Sequence, residues 1–193
     1  DSVKIADVCS VIGNVQNKLH NYNQALYYYR EALKLQIKTN NIQGIGKTYI
    51  NIGNTADNLK MYDSAVFYYK KSFNHLKPIN SAKAKAKYNL ADTYKSMGNT
   101  KLSEHYFKES IKLNKMLGDT LSLLYGYNGI ISLYLEKNAL KQAKTYLDSL
   151  STIVLKVSDQ IIMLNFYENQ AEYFYRSKQF KKAYTFQIKY SKL

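Results

Sequence analysis

The chain has 193 residues, with one proline, eight glycines and one cysteine. So few breakers over this length argue against a strand-and-turn architecture and predict an all-α protein. Cys9 alone excludes an internal disulfide and any cysteine-based zinc cluster. The net charge is +14 and each stretch of about forty residues is positive, which predicts a generally basic surface, open to acidic partners, over one dedicated nucleic-acid stripe. No apolar run approaches the roughly 18 residues of a membrane span, and no basic-then-apolar start marks a signal peptide. The chain begins at Asp1 without a methionine, and is expected to be a piece excised from a longer protein.

In chain order, apolar spacing and turn residues predict helices over 3–18, 22–38, 43–59, 62–77, 81–97, 100–117, 120–136, 139–155, 159–177 and 180–192. They fall into repeats. "NYNQALYYYREAL" at 21–33 returns as "MYDSAVFYYKKSF" at 61–73. Ala25, Ala65, Ser103, Ala143 and Ala183 hold one place in five such phrases, 40, 38, 40 and 40 residues apart. Twelve residues earlier stand Gly13, Gly53, Ala91, Ile131 and Ala171; four residues later stand Tyr29, Tyr69, Phe107 and Leu147, with Gln187 breaking the series. Between them lie the turn phrases "LHNYN", "LKMYD", "MGNTK", "EKNAL" and "SKQF". Each repeat is therefore helix A, turn, helix B. Small residues belong where two helices cross closely, and larger ones fill the gap one turn on. A helix pair this short cannot bury its apolar face alone, so five pairs stack into a solenoid. On this reading Tyr29 is a packing residue, while Tyr27 and Tyr28 point elsewhere. Cys9 reads as a small core residue.

The phrases "IGNVQNKLHNYNQALYYYREAL" and "IGNTADNLKMYDSAVFYYKKSF" resemble tetratricopeptide repeats. The family's helix A tryptophan is absent throughout, its repeat-ending proline appears only as Pro78, and the units exceed the usual length of about 34 residues. The resemblance implies an all-α, right-handed superhelix of five helix-turn-helix repeats, approximately 3–40, 41–79, 80–118, 119–157 and 158–193, forming a single domain over 1–193. It also implies that one stripe of helix A lines a concave groove for a protein or peptide.

Helical spacing identifies that stripe. In the second repeat it carries Lys47, Asn51, Asn54 and Asn58, and in the third Lys85, Asn89, Asp92 and Ser96. The first offers Asp7, Asn14 and Lys18, interrupted by Val11; the fourth offers Tyr125, Ser132 and Glu136, with Gly129 as a gap and Asn128 beside it; the fifth offers Asn165, Asn169, Glu172 and Arg176. Asparagine is a poorer helix former than alanine, lysine or glutamate by roughly half a kcal/mol, so its recurrence is not what solubility alone would select. Its amide donates and accepts at once, which suits an extended peptide backbone. The candidate binding residues are therefore Asn14, Lys47, Asn51, Asn54, Asn58, Lys85, Asn89, Asp92 and Asn128. Replacing Asn54 and Asn89 together is expected to weaken binding and leave thermal stability nearly unchanged. Some members of the family clamp a peptide's C-terminal carboxylate; Asn14, Asn51 and Lys85 match that pattern, but Ser10 and Asn89 stand where it has Lys and Arg, so such a clamp is not expected.

No catalytic constellation occurs. HExxH, a glycine-rich phosphate loop and GxSxG are all missing from the sequence. Glu104 and His105 have no third partner, and His20 and His75 are isolated. No enzymatic activity, metal or cofactor is expected for this piece. "SAKAKAKYNL" at 81–90 spreads its lysines over different faces and lacks aromatic interleaving, so nucleic acid is not the expected partner, and a basic helical-repeat nucleic-acid binder is the weakest of the readings. At the C-terminus Phe186, Tyr190 and Leu193 read as an open apolar end, to be covered by a following segment or by a homodimer partner. "FKKAYTFQIKYSKL" also resembles the last repeat before the effector part of bacterial sensor histidine kinases. That resemblance implies a sensory module of a two-component signalling protein, periplasmic in preference to cytoplasmic, and membrane-attached only through segments outside this chain. A stand-alone scaffold for protein assembly is the alternative.

Overall fold

The computed structural model describes residues 2–193; Asp1, where the expected domain begins, lies outside them. All ten helices appear close to their expected places, and the described residues contain no strand. They are α1 (Ser2–Lys18), α2 (Tyr22–Lys38), α3 (Ile42–Asn58), α4 (Tyr62–Phe73), α5 (Ser81–Ser96), α6 (Thr100–Leu117), α7 (Thr120–Glu136), α8 (Leu140–Val154), α9 (Gln160–Arg176) and α10 (Phe180–Ser191). The chain divides into two compact units after Asn99, so the division falls between the two helices of the third repeat. In the first unit α1 packs on α2, α2 on α3, α3 on α4 and α4 on α5. In the second, α6 packs on α7, α7 on α8, α8 on α9 and α9 on α10.

The repeat is written into the backbone. Every A helix ends in a residue of positive φ: His20 (61°), Lys60 (59°), Gly98 (74°), Asn138 (54°) and Lys178 (59°). This left-handed residue lets the next amides bond back to the last carbonyls, as Asn21 N does to Gln16 O at 2.9 Å. Four A helices also receive side-chain caps one repeat apart: Asn41 accepts from Gly44 N, Asn80 from Ala82 N, Asp119 from Ser122 N and Asp159 from Ile162 N. The B helices α2, α4, α8 and α10 have no side-chain cap. They begin directly out of the left-handed turn.

Helix α4 stops at Phe73 rather than at 77. Pro78 disfavours a helical conformation at the preceding residue and has no N–H for the next helical bond. The released segment folds Leu76 into the core, where only 6% of it is exposed. Leu76 lies on Gly46, where a Cβ would stand 2.8 Å from its Cδ2.

The anchor residues Ala25, Ala65, Ser103 and Ala143 are fully buried, as is Ala183 nearly. Opposite the small position lies the ring expected of it. A Cβ on Gly13 would stand 2.5 Å from the Tyr29 ring, and one on Gly53 would stand 2.7 Å from the Tyr69 ring. In the fourth repeat the partners trade volume: Ile131 replaces the glycine, Leu147 replaces the tyrosine, and both are buried. Gln187 is exposed. In the opening run Tyr29 is buried, Tyr28 half-buried and Tyr27 exposed, the last two meeting edge to face.

The ends differ from the expectation. Phe186 and Tyr190 are half-buried, and Phe186 stacks on Phe174 with ring centres 5.5 Å apart. The apolar residues that α10 leaves open are Phe180 and Tyr184, joined by Leu193. On α1, Ile5, Val8 and Val15 are about half exposed, although the corresponding Ile45, Thr48 and Thr55 of α3 are buried in the first unit. Cys9 is half-buried rather than in the core. No helix is long and apolar enough to cross a membrane.

Candidate functional site

In the first unit α1, α3 and α5 lie side by side, α3 touching both of the others. The helical phase that places their small residues against the B helices carries the next residue to the edge of that contact. Thus Asn14 follows Gly13 and Asn54 follows Gly53. The tyrosine that packs on each glycine reaches past it to the amide: Tyr29 donates its hydroxyl hydrogen to Asn14 Oδ1 at 2.8 Å, and Tyr69 does so to Asn54 Oδ1 at 2.9 Å. Burial pushes the Tyr29 hydroxyl up to about 12. It raises that of Tyr69 further, with the nearby carboxylates of Asp57 and Asp92 adding to the effect.

The A helices are laced to one another. Asn89 Nδ2 donates to Asn54 Oδ1 at 2.7 Å, so that oxygen receives two hydrogen bonds. Thr55 donates to Asn17 Oδ1 at 3.0 Å, and Thr93 donates to Asp57 Oδ1 at 2.7 Å. Each threonine oxygen also lies 3.0 Å from the backbone carbonyl four residues earlier, Asn51 O and Asn89 O, which shares its single hydroxyl hydrogen. Asn58 Nδ2 lies 3.4 Å from Asn17 Oδ1. Asn17, Thr55, Asp57 and Thr93 were not singled out by sequence. The signal was present, because Asn17 and Asp57 hold one place in successive repeats, as do Thr55 and Thr93.

The nine expected site residues therefore separate into three groups. Lys47 and Lys85 are exposed and make no ion pair among the described residues, and Asn51 is half-buried with its amide unengaged. Asn14, Asn54, Asn58 and Asn89 join the network just described, and Asp92 lies near the Tyr69 hydroxyl. Asn128 does not face a groove. It is 5% exposed, accepts from Asn169 Nδ2 at 3.1 Å and places its own Nδ2 3.4 Å from Ile162 O, tying α7 to α9. Its neighbour Gly129 explains this, for a Cβ there would stand 2.5 Å from the Phe107 ring. With that face of α7 packed on α6, the asparagine one residue earlier turns toward α9.

The first-unit face is rich in donors. The Asn54 oxygen is fully used by protein hydrogens, which leaves its Nδ2 hydrogens for a ligand; the Asn14 oxygen is also engaged. The ammonium groups of Lys47 and Lys85 add only donors.

Elsewhere, Glu104 does not act with His105. It accepts from Lys108 at 2.7 Å, Lys137 at 3.1 Å and the Tyr134 hydroxyl at 3.0 Å. The Lys108 bond is the main cause that holds its carboxyl down at about 2. Among the described residues, no three His, Cys, Asp or Glu side chains are grouped to hold a metal ion.

A helical hairpin that repeats every forty residues, with a left-handed residue closing each A helix, defines a helical-repeat protein. Residues 46–74 and 84–115 match the tetratricopeptide repeat family, so these two segments are similar to tetratricopeptide repeats. The fold is shared along nearly the whole chain with solved structures. BtubC (BKLC) from P. vanneervenii superposes with a TM-score of 0.89 at 17% identity, over 99% of this chain and 80% of that one. A Rap protein complexed with competence and sporulation factor superposes at 0.78 and 14% identity, over 100% of this chain and 64% of that one. This chain thus spans less than two thirds of that protein's length. YrrB, a TPR protein with an unusual peptide-binding site, superposes at 0.62 and 15% identity, over 94% of this chain and 82% of that one. A comparison with curated protein sequences finds no match.

Proposed function

We propose that this chain is a non-catalytic module that binds a peptide or protein segment on the first-unit face of α1, α3 and α5. The observation that carries this reading is the pair Lys47 and Lys85. Two exposed cations recur at one place in successive repeats, on a face where the Asn14 and Asn54 oxygens already accept from the protein. YrrB, whose fold is alike, is described with a peptide-binding site, which supports a polypeptide over a small molecule. The test is capture of a bound polypeptide by the isolated chain, followed by its titration against Lys47→Ala with Lys85→Ala. The double variant is expected to bind at least about tenfold more weakly, by loss of two charge-assisted contacts. Equal affinity would move the site elsewhere.

On this reading binding stiffens the stacked repeats and passes the change to an effector, as in a bacterial two-component sensor histidine kinase with its repeats in the periplasm. What supports the signalling role is the style of the last repeat, "FKKAYTFQIKYSKL". A kinase or DNA-binding module encoded after Leu193 is the expected finding in the gene. A stop codon there would leave a scaffold for protein assembly.

A further inference from the structure

A second site lies in the second unit, on B helices that the first-unit face does not use. Lys108, Lys112 and Lys115 follow one another on α6 at helical spacings of four and three, so all three ammoniums rise from one face within about 10.5 Å of helix. They surround a cavity of about 330 Å³ whose remaining walls are Ile111, Met116 and Tyr146 of α8. Ile111 is buried at its floor, whereas Met116 is 56% exposed at its rim. Tyr146 stacks on Tyr134, their centres 5.8 Å apart, which fixes the aromatic wall.

The charges of this cavity are unbalanced. No carboxylate lines it. Among the described residues, only Lys108 of its three ammoniums has an ion pair, with Glu104, and Glu104 is shared with Lys137. Lys115 rests over the Tyr127 ring at 5.7 Å, a contact that holds it without neutralising it. Lys112 makes no ion pair among the described residues. The sequence concentrates charge here as well: between 81 and 118 stand eight lysines and three carboxylates, a larger positive excess than in any other repeat.

We propose that this cavity docks an acidic polypeptide segment that carries one apolar side chain between its carboxylates. The apolar side chain enters between Ile111, Met116 and Tyr146, and the carboxylates meet Lys112 and Lys115. The cavity volume lies at the small end of the range for ligand pockets, which fits one side chain rather than a folded domain. Charge complementarity selects the acidic partner. A nucleic acid would need a cationic track along a backbone with rings for its bases to stack on. Here the lysines close around a single apolar pit, and Tyr146 already stacks on Tyr134. This site is independent of the first-unit face.

The test uses the whole chain and two fluorescein-labelled peptides, one with a leucine between pairs of glutamates and one with glycine in its place, read by anisotropy at about 0.15 M salt. The leucine peptide is expected to bind, and the glycine peptide to bind several-fold more weakly. Lys112→Glu with Lys115→Glu should weaken the leucine peptide by about tenfold or more. Lys4→Glu with Lys77→Glu, which changes the net charge equally from exposed positions in the first unit, should leave it within about twofold. Met116→Gln should remove the preference for leucine over glycine and keep the salt dependence. All variants should show the parent's circular dichroism, since every substituted side chain is exposed. The proposal is overturned by absence of binding to either peptide, by equal losses in the two charge-reversal variants, or by no preference for leucine in the parent. It is also overturned if a short single-stranded oligonucleotide binds more tightly than the peptide and depends on the same two lysines, which would make the cavity part of a nucleic-acid surface.

Discussion

Tyr69 of α4 donates its hydroxyl hydrogen to Asn54 Oδ1 of α3 at 2.9 Å, and the same oxygen receives Asn89 Nδ2 of α5 at 2.7 Å. One amide thus joins a helix pair internally and to the next repeat. The asparagines expected to serve a ligand first serve the frame. Asn54→Ala strips two donors of their acceptor, and the Tyr69 hydroxyl is too buried to turn to water. We expect a loss of about 1–3 kcal/mol in urea unfolding, in place of the unchanged stability that an exposed binding residue would show. A variant as stable as the parent would return Asn54 to the ligand.

Much of the fold was legible because a solenoid repeats its rules. Ala25 and its four counterparts fix the register, and Gly13 with Tyr29 gives the packing. The end of α4 was missed because Pro78 acts backwards through a segment whose apolar residues, Phe73 and Leu76, continue the helical rhythm. The binding face was legible only as a stripe. Spacing puts Ser132 at the place of Asn54 and puts Asn128 at that of the buried Ile50, and which amides are consumed depends on what leans over them. Tyr69 reaches Asn54 because Gly53 lets its ring approach. Gly129 draws Phe107 onto the face beside Asn128, and Asn169 then meets the amide from α9. Such partnerships join residues fifteen to forty-one apart, and a single helical phase does not contain them.

The glycine–tyrosine contact can be tested by exchanging volume. Gly53→Ala gains helix propensity of up to about 1 kcal/mol, but its Cβ would stand 2.7 Å from Tyr69 Cε1. The ring is 1% exposed and cannot withdraw freely, so overpacking at about 1–3 kcal/mol wins and the variant is less stable. The fourth repeat shows the compensation, with Ile131 against Leu147. Gly53→Ala in a Tyr69→Leu background should therefore cost less than in the parent, or stabilise. A double-mutant cycle reads this directly, and additive effects would mean that the two positions do not press on one another.

Lys60 sits at φ 59°, a conformation that strains an L residue by about 1–2 kcal/mol. At the same place the third repeat has Gly98 at φ 74°. Lys60→Gly removes the strain and gives back part of the gain as unfolded-chain entropy. The expected result is a net stabilisation of about 0.5–1 kcal/mol, measured as a higher urea midpoint with an unchanged slope. A destabilised variant would show that the lysine side chain contributes more than its backbone costs.

In acid, Glu104 reports on the second unit. Its carboxyl titrates near 4.5 in an unfolded chain and at about 2 in the folded one, held down chiefly by Lys108 and then by Lys137 and Tyr134 against the opposing effect of burial. Its contribution is present above about pH 4.5 and is lost as the pH falls toward 2. Glu104→Gln should flatten the decline of the urea midpoint across that interval. The same slope in parent and variant would place the acid sensitivity in other carboxylates.

In base, the repeat tyrosines work in the opposite sense. Burial raises Tyr29 to about 12, burial and then Glu104 raise Tyr134 to about 12, and Tyr69 is raised further by burial aided by Asp57 and Asp92. An unfolded tyrosine ionises near pH 10, so between about 10 and 12 the unfolded chain releases protons that the folded one retains. Stability is complete below pH 10 and falls as the pH rises through this window. Tyr29→Phe and Tyr69→Phe test this. Each should begin less stable at neutral pH, by about 0.5–1.5 kcal/mol for the lost hydroxyl bond, and then decline less steeply than the parent between pH 10 and 12. If the phenylalanine variants fall as steeply, the alkaline loss belongs to other groups, and the bonds from Tyr29 to Asn14 and from Tyr69 to Asn54 are not what that pH range breaks.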